Sequence, residues 1–122
     1  MATGKKCIYL LEDNDDIREL IIFFLAEENY EVYGYSTIKT FNQVMKNGKP
    51  DMIVLDIMLT DGNGIDVYKS LKSDHKTNHI PILMMSANAH FYADKITSNA
   101  ISFINKPFDI DDFVRRVNRF IN

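Results

Sequence analysis

Short apolar segments alternate with longer amphipathic segments along this chain, and this alternation constrains the fold more than any other feature. Apolar or β-branched residues fill five strand-length runs, at residues 7–11, 30–35, 52–55, 82–85 and 101–104. Helical spacing is clearest near the C-terminus, in the stripe Ile110, Phe113, Val114, Val117 and Ile121. Asn14 and Asp109 are suitable caps for a first helix over 15–28 and for this last helix. The pattern predicts a β-α unit repeated five times.

Strands that alternate with single helices pair in parallel, because each crossover helix returns the chain to the same edge of the sheet. The sequence therefore predicts a doubly wound α/β fold, a flavodoxin-like three-layer sandwich with strand order 2-1-3-4-5. A chain of 122 residues is sufficient for one domain, so residues 1–122 are expected to form a single unit. Ligand chemistry is expected at the carboxyl ends of strands one and three, where the order reverses.

Composition excludes several classes of function. Fourteen Lys and Arg against seventeen Asp and Glu give a net charge of -3, which argues against nucleic acid as a direct partner. The single cysteine, Cys7, excludes an internal disulfide and a cysteine-based metal cluster. No apolar run approaches the roughly 20 residues of a membrane span. We expect a soluble, cytoplasmic protein.

Carboxylates follow the two strands that should be neighbours. Glu12 and Asp13 come after strand one, and Asp56 directly follows strand three. Like charges held this closely repel, and a bound divalent cation would relieve the repulsion. Oxygen ligands alone suit Mg²⁺. The alternative is a solvated acidic loop, which we favour only for Asp15 and Asp16 at the helix start.

A hydroxyl and a cation complete the same predicted edge. Ser86 ends strand four and Lys106 follows strand five. Each residue alone is weak evidence, since serines often end strands and lysines are usually on the surface. Together with the acids they form a set that handles a phosphoryl group: Asp56 as nucleophile, Ser86 as hydrogen-bond donor, and Lys106 with Mg²⁺ offsetting charge.

These residues lie in four motifs, Leu-Leu-Glu-Asp-Asn, Ile-Val-Leu-Asp-Ile-Met-Leu, Met-Met-Ser-Ala and Ile-Asn-Lys-Pro-Phe. Through them the chain resembles the receiver domain of two-component response regulators over nearly its whole length. The resemblance implies that Asp56 accepts a phosphoryl group from the phosphohistidine of a histidine kinase or histidine phosphotransfer protein. It also implies that Ser86 and Lys106 hold the phosphoryl oxygens and that the Lys106–Pro107 bond is cis.

The resemblance further implies a magnesium site, with Mn²⁺ as a possible substitute. Glu12, Asp13, Asp56 and the backbone carbonyl of Met58 would surround the ion, with Glu12 acting through water. The protein would not be an enzyme in the usual sense, because it would assist only its own phosphorylation and a slow self-dephosphorylation. Met58 and Asn88 would flank the path of the hydrolytic water, and we expect the apolar Met58 to slow that hydrolysis.

Phosphorylation is expected to draw Ser86 towards the phosphoryl group and to let Phe103 move into the vacated space. The surface of the fourth helix, fifth strand and fifth helix would then change shape as a population shift, and two copies could dimerise through it. Family members commonly have tyrosine at the Phe103 position and proline at the Thr60 position. Phe103 therefore has to act by packing alone, or is simply a core residue of an edge strand.

The predicted first helix contains more apolar residues than one buried stripe requires, namely Ile17, Leu20, Ile21, Ile22, Phe23, Phe24 and Leu25. Some of them should be exposed, and Ile17 with its neighbours is a candidate docking surface for the helical bundle of a phosphodonor. The competing interpretation is a helix that is packed deeply in the core.

Two other functions fit part of the pattern. Haloacid-dehalogenase-like phosphatases also place an aspartate nucleophile after an apolar strand, and Thr60 agrees with them. That family needs a second aspartate where this chain has Met58, so we rank it lower. A degenerate receiver that only docks a partner ranks lower still, because every residue type required for phosphorylation is present.

Overall fold

The computed structural model describes residues 4–87 and 102–121. Five strands form the main sheet: β1 (Cys7–Leu11), β2 (Glu31–Tyr35), β3 (Met52–Asp56), β6 (Ile82–Ser86) and β7 (Ser102–Asn105). Two shorter strands, β4 (Met58–Leu59) and β5 (Gly62–Asn63), form a separate hairpin. The helices are α1 (Asp15–Glu27), α2 (Ile38–Met45), α3 (Gly64–Ser73) and α4 (Ile110–Ile121).

The main sheet is parallel, with the order β2-β1-β3-β6-β7. This is the predicted 2-1-3-4-5 order, because the β4–β5 hairpin is not part of that sheet. The predicted fifth helix is α4, whereas the predicted fourth helix lies outside the described residues. Strand order, parallel pairing and α/β class are thus confirmed.

Helices cover both faces of the sheet and produce two apolar cores. On one face, Ile21 and Leu25 of α1 and Phe113 and Val117 of α4 pack against the sheet. The other core contains Phe41 of α2 and Val67, Tyr68 and Leu71 of α3. Every residue of β3 is buried, which explains its uninterrupted apolar run. No helix among the described residues combines the length and the apolar character that crossing a membrane requires.

The first helix divides its apolar residues between the core and the surface. Ile21 and Leu25 are fully buried, whereas Leu20 is 47% exposed and Phe23 is 57% exposed. The predicted cap is confirmed, since the Asn14 side chain accepts a hydrogen bond from the backbone N–H of Ile17 at 3.0 Å. The expectation that part of this apolar surface stays exposed is therefore confirmed.

The β4–β5 hairpin was not predicted from the sequence. Met58 pairs with Asn63 and Leu59 with Gly62, directly after the end of β3. Gly62 has a φ of 154°, which a residue with a side chain rarely adopts. The segment after Asp56, which includes Thr60, is therefore an antiparallel hairpin.

Candidate functional site: an acidic edge with a buried lysine

Three carboxylates meet at the carboxyl edge of the sheet. Parallel pairing sets Leu11 beside Leu55, so the residues that follow, Glu12 and Asp56, come side by side. One carboxylate oxygen from each of Glu12, Asp13 and Asp56 lies within 4.8 Å of the others. Glu12 is completely buried, Asp56 is 4% exposed, and Asp13 is half-buried. The predicted acidic cluster is present, and its members converge on one point.

Lys106 links two of these carboxylates. Its Nζ lies 2.6 Å from Oε1 of Glu12 and 3.0 Å from Oδ2 of Asp56. Burial alone would lower the pKa of Lys106, but its hydrogen bonds and charge attraction to Glu12 and Asp56 outweigh burial and raise it. The lysine is thus held in its charged form beside Asp56. The expected cis bond between Lys106 and Pro107 is present.

Glu12 is held at both carboxylate oxygens. Oε1 accepts from Lys106, and Oε2 accepts from the backbone N–H of Asn14 at 3.1 Å. Arg18 of α1 donates to the backbone carbonyl of Glu12 at 3.0 Å and pairs with Asp15 at 2.6 Å. The contact of Arg18 with Glu12 was not predicted from the sequence. The only signal for it was the position of Arg18 in α1, about one turn after the acidic residues that start the helix.

The donor set fits a divalent cation. Three carboxylates and one lysine have formal charges of -3 and +1, so the formal charge of the cluster is -2. Burial raises the pKa of the Asp13 carboxyl, and the adjacent Glu12 raises it further. These groups therefore repel each other as they stand. Oxygen-only donors with this excess charge match the preference of Mg²⁺ or Mn²⁺.

Ser86 lies on β6, the strand next to Asp56, and Phe103 lies on β7, the edge strand beyond it. Asp56 pairs with Met85, and Ser86 pairs with Asn105 while its carbonyl accepts from the Lys106 backbone N–H at 2.9 Å. Ser86 is 2% exposed, whereas Phe103 is half-buried against the core of α2 and α3. Side chains alternate along strands, so Ser86 and Phe103 share a face of the sheet with Met84.

Met58 protrudes from the hairpin that follows Asp56, and its side chain is 65% exposed. It lies two residues after Asp56, as the sequence requires, and its exposure makes it accessible to water. Asn88, the other residue expected to flank the hydrolytic water, lies outside the described residues. Only Met58 of these two is therefore among the described residues.

Two residues near the site were not recognised as structural determinants from the sequence. Gly64 donates its N–H to the carbonyl of Ile57 at 2.7 Å, and a Cβ there would lie 2.1 Å from the carbonyl oxygen of Asp56. Asp61 accepts from the N–H groups of Ile38 and Lys39, at 3.0 and 3.2 Å, which lowers its pKa. The hairpin is thus closed at its base by the bond between Gly64 and Ile57, and its turn is held to the start of α2 by Asp61.

Comparison with known proteins agrees with this geometry. Residues 8–118 match the family model of the response regulator receiver domain. The phosphate regulon transcriptional regulatory protein PhoB of Pseudomonas aeruginosa is 34% identical over 92% of this chain and 50% of its own length. A probable transcriptional regulatory protein of Picosynechococcus sp. is also 34% identical, over 92% of this chain and 47% of its own.

A solved structure gives the same result at the level of the fold. The response regulator TrrA of Thermotoga maritima, in complex with Mg²⁺-BeF, has a TM-score of 0.82 and 26% identity, covering 94% of this chain and 98% of that one. The chain spans about half the length of the two curated relatives above. It belongs to the response regulator receiver domain family, the signalling domains of two-component systems.

Proposed function

We propose that residues 1–122 form one receiver domain in which Asp56 accepts a phosphoryl group from a phosphohistidine partner. The observation that carries this proposal is a nearly buried Asp56 that lies 3.0 Å from Lys106 Nζ and has two further carboxylates within 4.8 Å. Glu12, Asp13, Asp56 and the Met58 carbonyl would hold Mg²⁺. The family match favours this function over a haloacid-dehalogenase-like phosphatase.

The chain's own residues would carry the transfer as follows. One Asp56 oxygen attacks phosphorus, a new O–P bond forms, and the N–P bond breaks with its electron pair returning to the histidine nitrogen. Lys106, whose Nζ lies 3.0 Å from Asp56, would offset negative charge on the phosphoryl oxygens, and Ser86 would donate a hydrogen bond to one of them. Bound Mg²⁺ would supply charge neutralisation at the same oxygens.

Phosphoryl uptake without turnover would distinguish this function from its competitor. Incubation with acetyl phosphate and Mg²⁺ should add one phosphoryl group per chain, in an acid-stable and base-labile linkage. Mass spectrometry measures the stoichiometry, and a colorimetric phosphate assay with a generic phosphomonoester measures turnover. Sustained phosphomonoester hydrolysis without accumulation of a labelled chain would instead support the phosphatase.

The same proposal includes a switch. Drawing Ser86 towards a phosphoryl group would open space on the face that it shares with Phe103, and the surface of the predicted fourth helix, β7 and α4 would respond. Arg116 of α4 donates to the carbonyl of Phe103 at 3.0 Å, which supports coupling between β7 and that helix. Coupling free energies of this kind are typically about 1 to 3 kcal/mol.

A coupling of that size leaves the active arrangement detectably populated without phosphate. We expect relaxation-dispersion NMR to detect microsecond-to-millisecond exchange at Ser86 and Phe103 in the unphosphorylated protein. Beryllofluoride with Mg²⁺ should shift both residues to one end of that exchange. If both residues proved rigid in the free protein, the switch would have to be withdrawn.

The lifetime of the phosphoryl group should depend on Met58. Its thioether is a poor hydrogen-bond acceptor and does not orient water, so Met58→Asn should hasten hydrolysis. One added hydrogen bond in the transition state corresponds to a roughly two- to tenfold shorter lifetime. Loss of label after removal of acetyl phosphate gives the rate, and Met58→Leu is the apolar control. Equal lifetimes in the Asn variant and the parent would refute this role.

Helix α1 supplies a docking surface for the phosphodonor. Ile17, Leu20 and Phe23 recur at helical spacing along it, and the last two are the largest exposed apolar side chains of this helix. The helix starts three residues after Glu12, so this surface borders the acidic edge. A bundle of helices carrying a phosphohistidine is the partner that brings an apolar surface and the phosphoryl group together. We propose such a bundle as the occupant, from a histidine kinase or a phosphotransfer protein.

Removing the most exposed aromatic side chain of this surface should separate docking from chemistry. We expect Phe23→Ser to slow phosphotransfer from a phosphorylated histidine phosphotransfer protein by about fivefold or more, as for a residue at the centre of an interface. Labelling by acetyl phosphate, which needs no docking, should be unchanged. Tyr33→Ser, at a 44% exposed aromatic on the opposite face of the sheet, is the matched control. Equal transfer rates in both variants would exclude α1 as the docking surface.

A further inference from the structure

Met58 is the sulfur-containing side chain most open to solvent among the described residues. It is 65% exposed, whereas Met52, Met84 and Met85 are fully buried within the sheet and Met45 is half-buried. Oxidation of sulfur side chains by peroxides follows their exposure. A peroxide that enters from solvent should therefore react with Met58 well before it reaches the methionines of the sheet.

Met58 lies close enough in the chain to Asp56 for its oxidation to affect the phosphoacceptor. Met58 follows Asp56 by two residues, at the start of the hairpin that shapes the edge of the site. Its side chain is exposed, so a sulfoxide oxygen can be accommodated without disturbing either core. The site donor proposed at Met58 is the backbone carbonyl, and oxidation of the side chain leaves that carbonyl unchanged. The modification would thus alter the surroundings of Asp56 without dismantling the site.

We propose that Met58 is a site of reversible oxidation by peroxides and that its sulfoxide shortens the life of the phosphoryl group on Asp56; this inference rests on the proposed function. The thioether sulfur attacks one peroxide oxygen, an S–O bond forms and the O–O bond breaks. The released hydroxide takes up the proton of the transferred oxygen and leaves as water. Sulfur is oxidised by two electrons and the peroxide is reduced by two.

The chemical change explains the direction of the effect. A thioether accepts hydrogen bonds weakly, whereas a sulfoxide carries a polar S–O group with a strong acceptor oxygen. Because Met58 follows Asp56 by two residues, we expect that oxygen to hold a water molecule for attack on phosphorus. We expect hydrolysis to accelerate roughly two- to tenfold, the effect of one added hydrogen bond.

The test uses hydrogen peroxide on the folded protein. Peptide mass spectrometry follows the gain of one oxygen atom at each methionine, and loss of label after acetyl phosphate removal gives the phosphoryl lifetime. Met58→Leu keeps Cys7 and every other methionine, and it preserves an apolar side chain at the site. Cys7 is half-buried, and burial raises the pKa of its thiol, which disfavours the reactive thiolate.

The expected result is early oxidation at Met58, a shortened lifetime in the treated parent, no change in treated Met58→Leu, and recovery after methionine sulfoxide reductase. Oxidation of the sheet methionines before Met58 would overturn the proposal. So would a Met58 sulfoxide with an unaltered lifetime, or an equal acceleration in treated Met58→Leu. A parent that takes up no phosphoryl group even before peroxide would instead overturn the proposed function, and peptide mapping would still decide whether Met58 is oxidised.

Discussion

Asp56→Asn should abolish phosphoryl uptake while leaving the protein folded. The amide has nearly the same size and shape as the carboxylate but is a far weaker nucleophile, so labelling by acetyl phosphate should fall roughly a thousandfold or more. Lys106 retains its 2.6 Å contact with Glu12, and the loss of one negative charge reduces repulsion at the cluster. The stability of the variant should therefore equal or exceed that of the parent.

The matched control is Asp66→Asn, the same substitution at an exposed position in the first turn of α3. This variant should label like the parent. Intact-mass measurement after a fixed incubation gives the labelled fraction, and urea unfolding confirms that both variants fold. Labelling of Asp56→Asn at the parental rate would mean that another residue accepts the phosphoryl group.

Gly64→Ala should have the largest effect on stability of any single methyl group added to the described residues near the site. The new Cβ would lie 2.1 Å from the carbonyl oxygen of Asp56 and 3.0 Å from Cα of Ile57, both of them backbone atoms. Backbone of a central strand end has little freedom to move away, so we expect destabilisation of about 1 to 3 kcal/mol or more. The backbone has to move to make room for the added methyl group, and this movement would displace Asp56. Phosphoryl uptake should therefore also fall.

Gly34→Ala provides the comparison. Its Cβ would approach the flexible side-chain ends of Ile22 and Arg18, at 2.8 and 3.0 Å, which can rotate aside. Urea denaturation midpoints and acetyl phosphate labelling rates of the two variants should differ clearly, with Gly64→Ala the weaker in both. If the two alanine variants matched each other, close packing of Gly64 under Asp56 would not be what positions the phosphoacceptor.

Most of the fold could be predicted from the sequence because two physical signals are local. Buried parallel strands need uninterrupted apolar runs, and β3 supplies one along its whole length. Helices need a cap and an apolar stripe, and Asn14 with the α1 residues supplies both. Because strands and helices alternate, and crossover connections between parallel strands are right-handed, only a few topologies are possible. The convergence of Glu12, Asp13 and Asp56 followed from that topology rather than from any local motif.

The remaining features depend on contacts between distant parts of the chain. The caps that Asp61 places on α2 span more than twenty residues, and nothing in the sequence near Ile38 indicates them. To predict the direct hydrogen bond from Lys106 to the buried Glu12, one would need to know how far each of the two strands extends at this edge of the sheet. Strand order alone does not give that information. For α1, composition predicted excess apolar surface, but only packing decided that Leu20 and Phe23 are the exposed members.

The dependence of phosphoryl uptake on magnesium tests the central claim most directly. Wild-type protein is freed of metal with a chelator, and the initial rate of labelling by acetyl phosphate is measured as Mg²⁺ is added back. Because three clustered carboxylates should need a divalent cation before Asp56 can approach a phosphoryl group, the account predicts negligible labelling without metal and a rise that saturates. Equally fast labelling in the presence of excess chelator would contradict it.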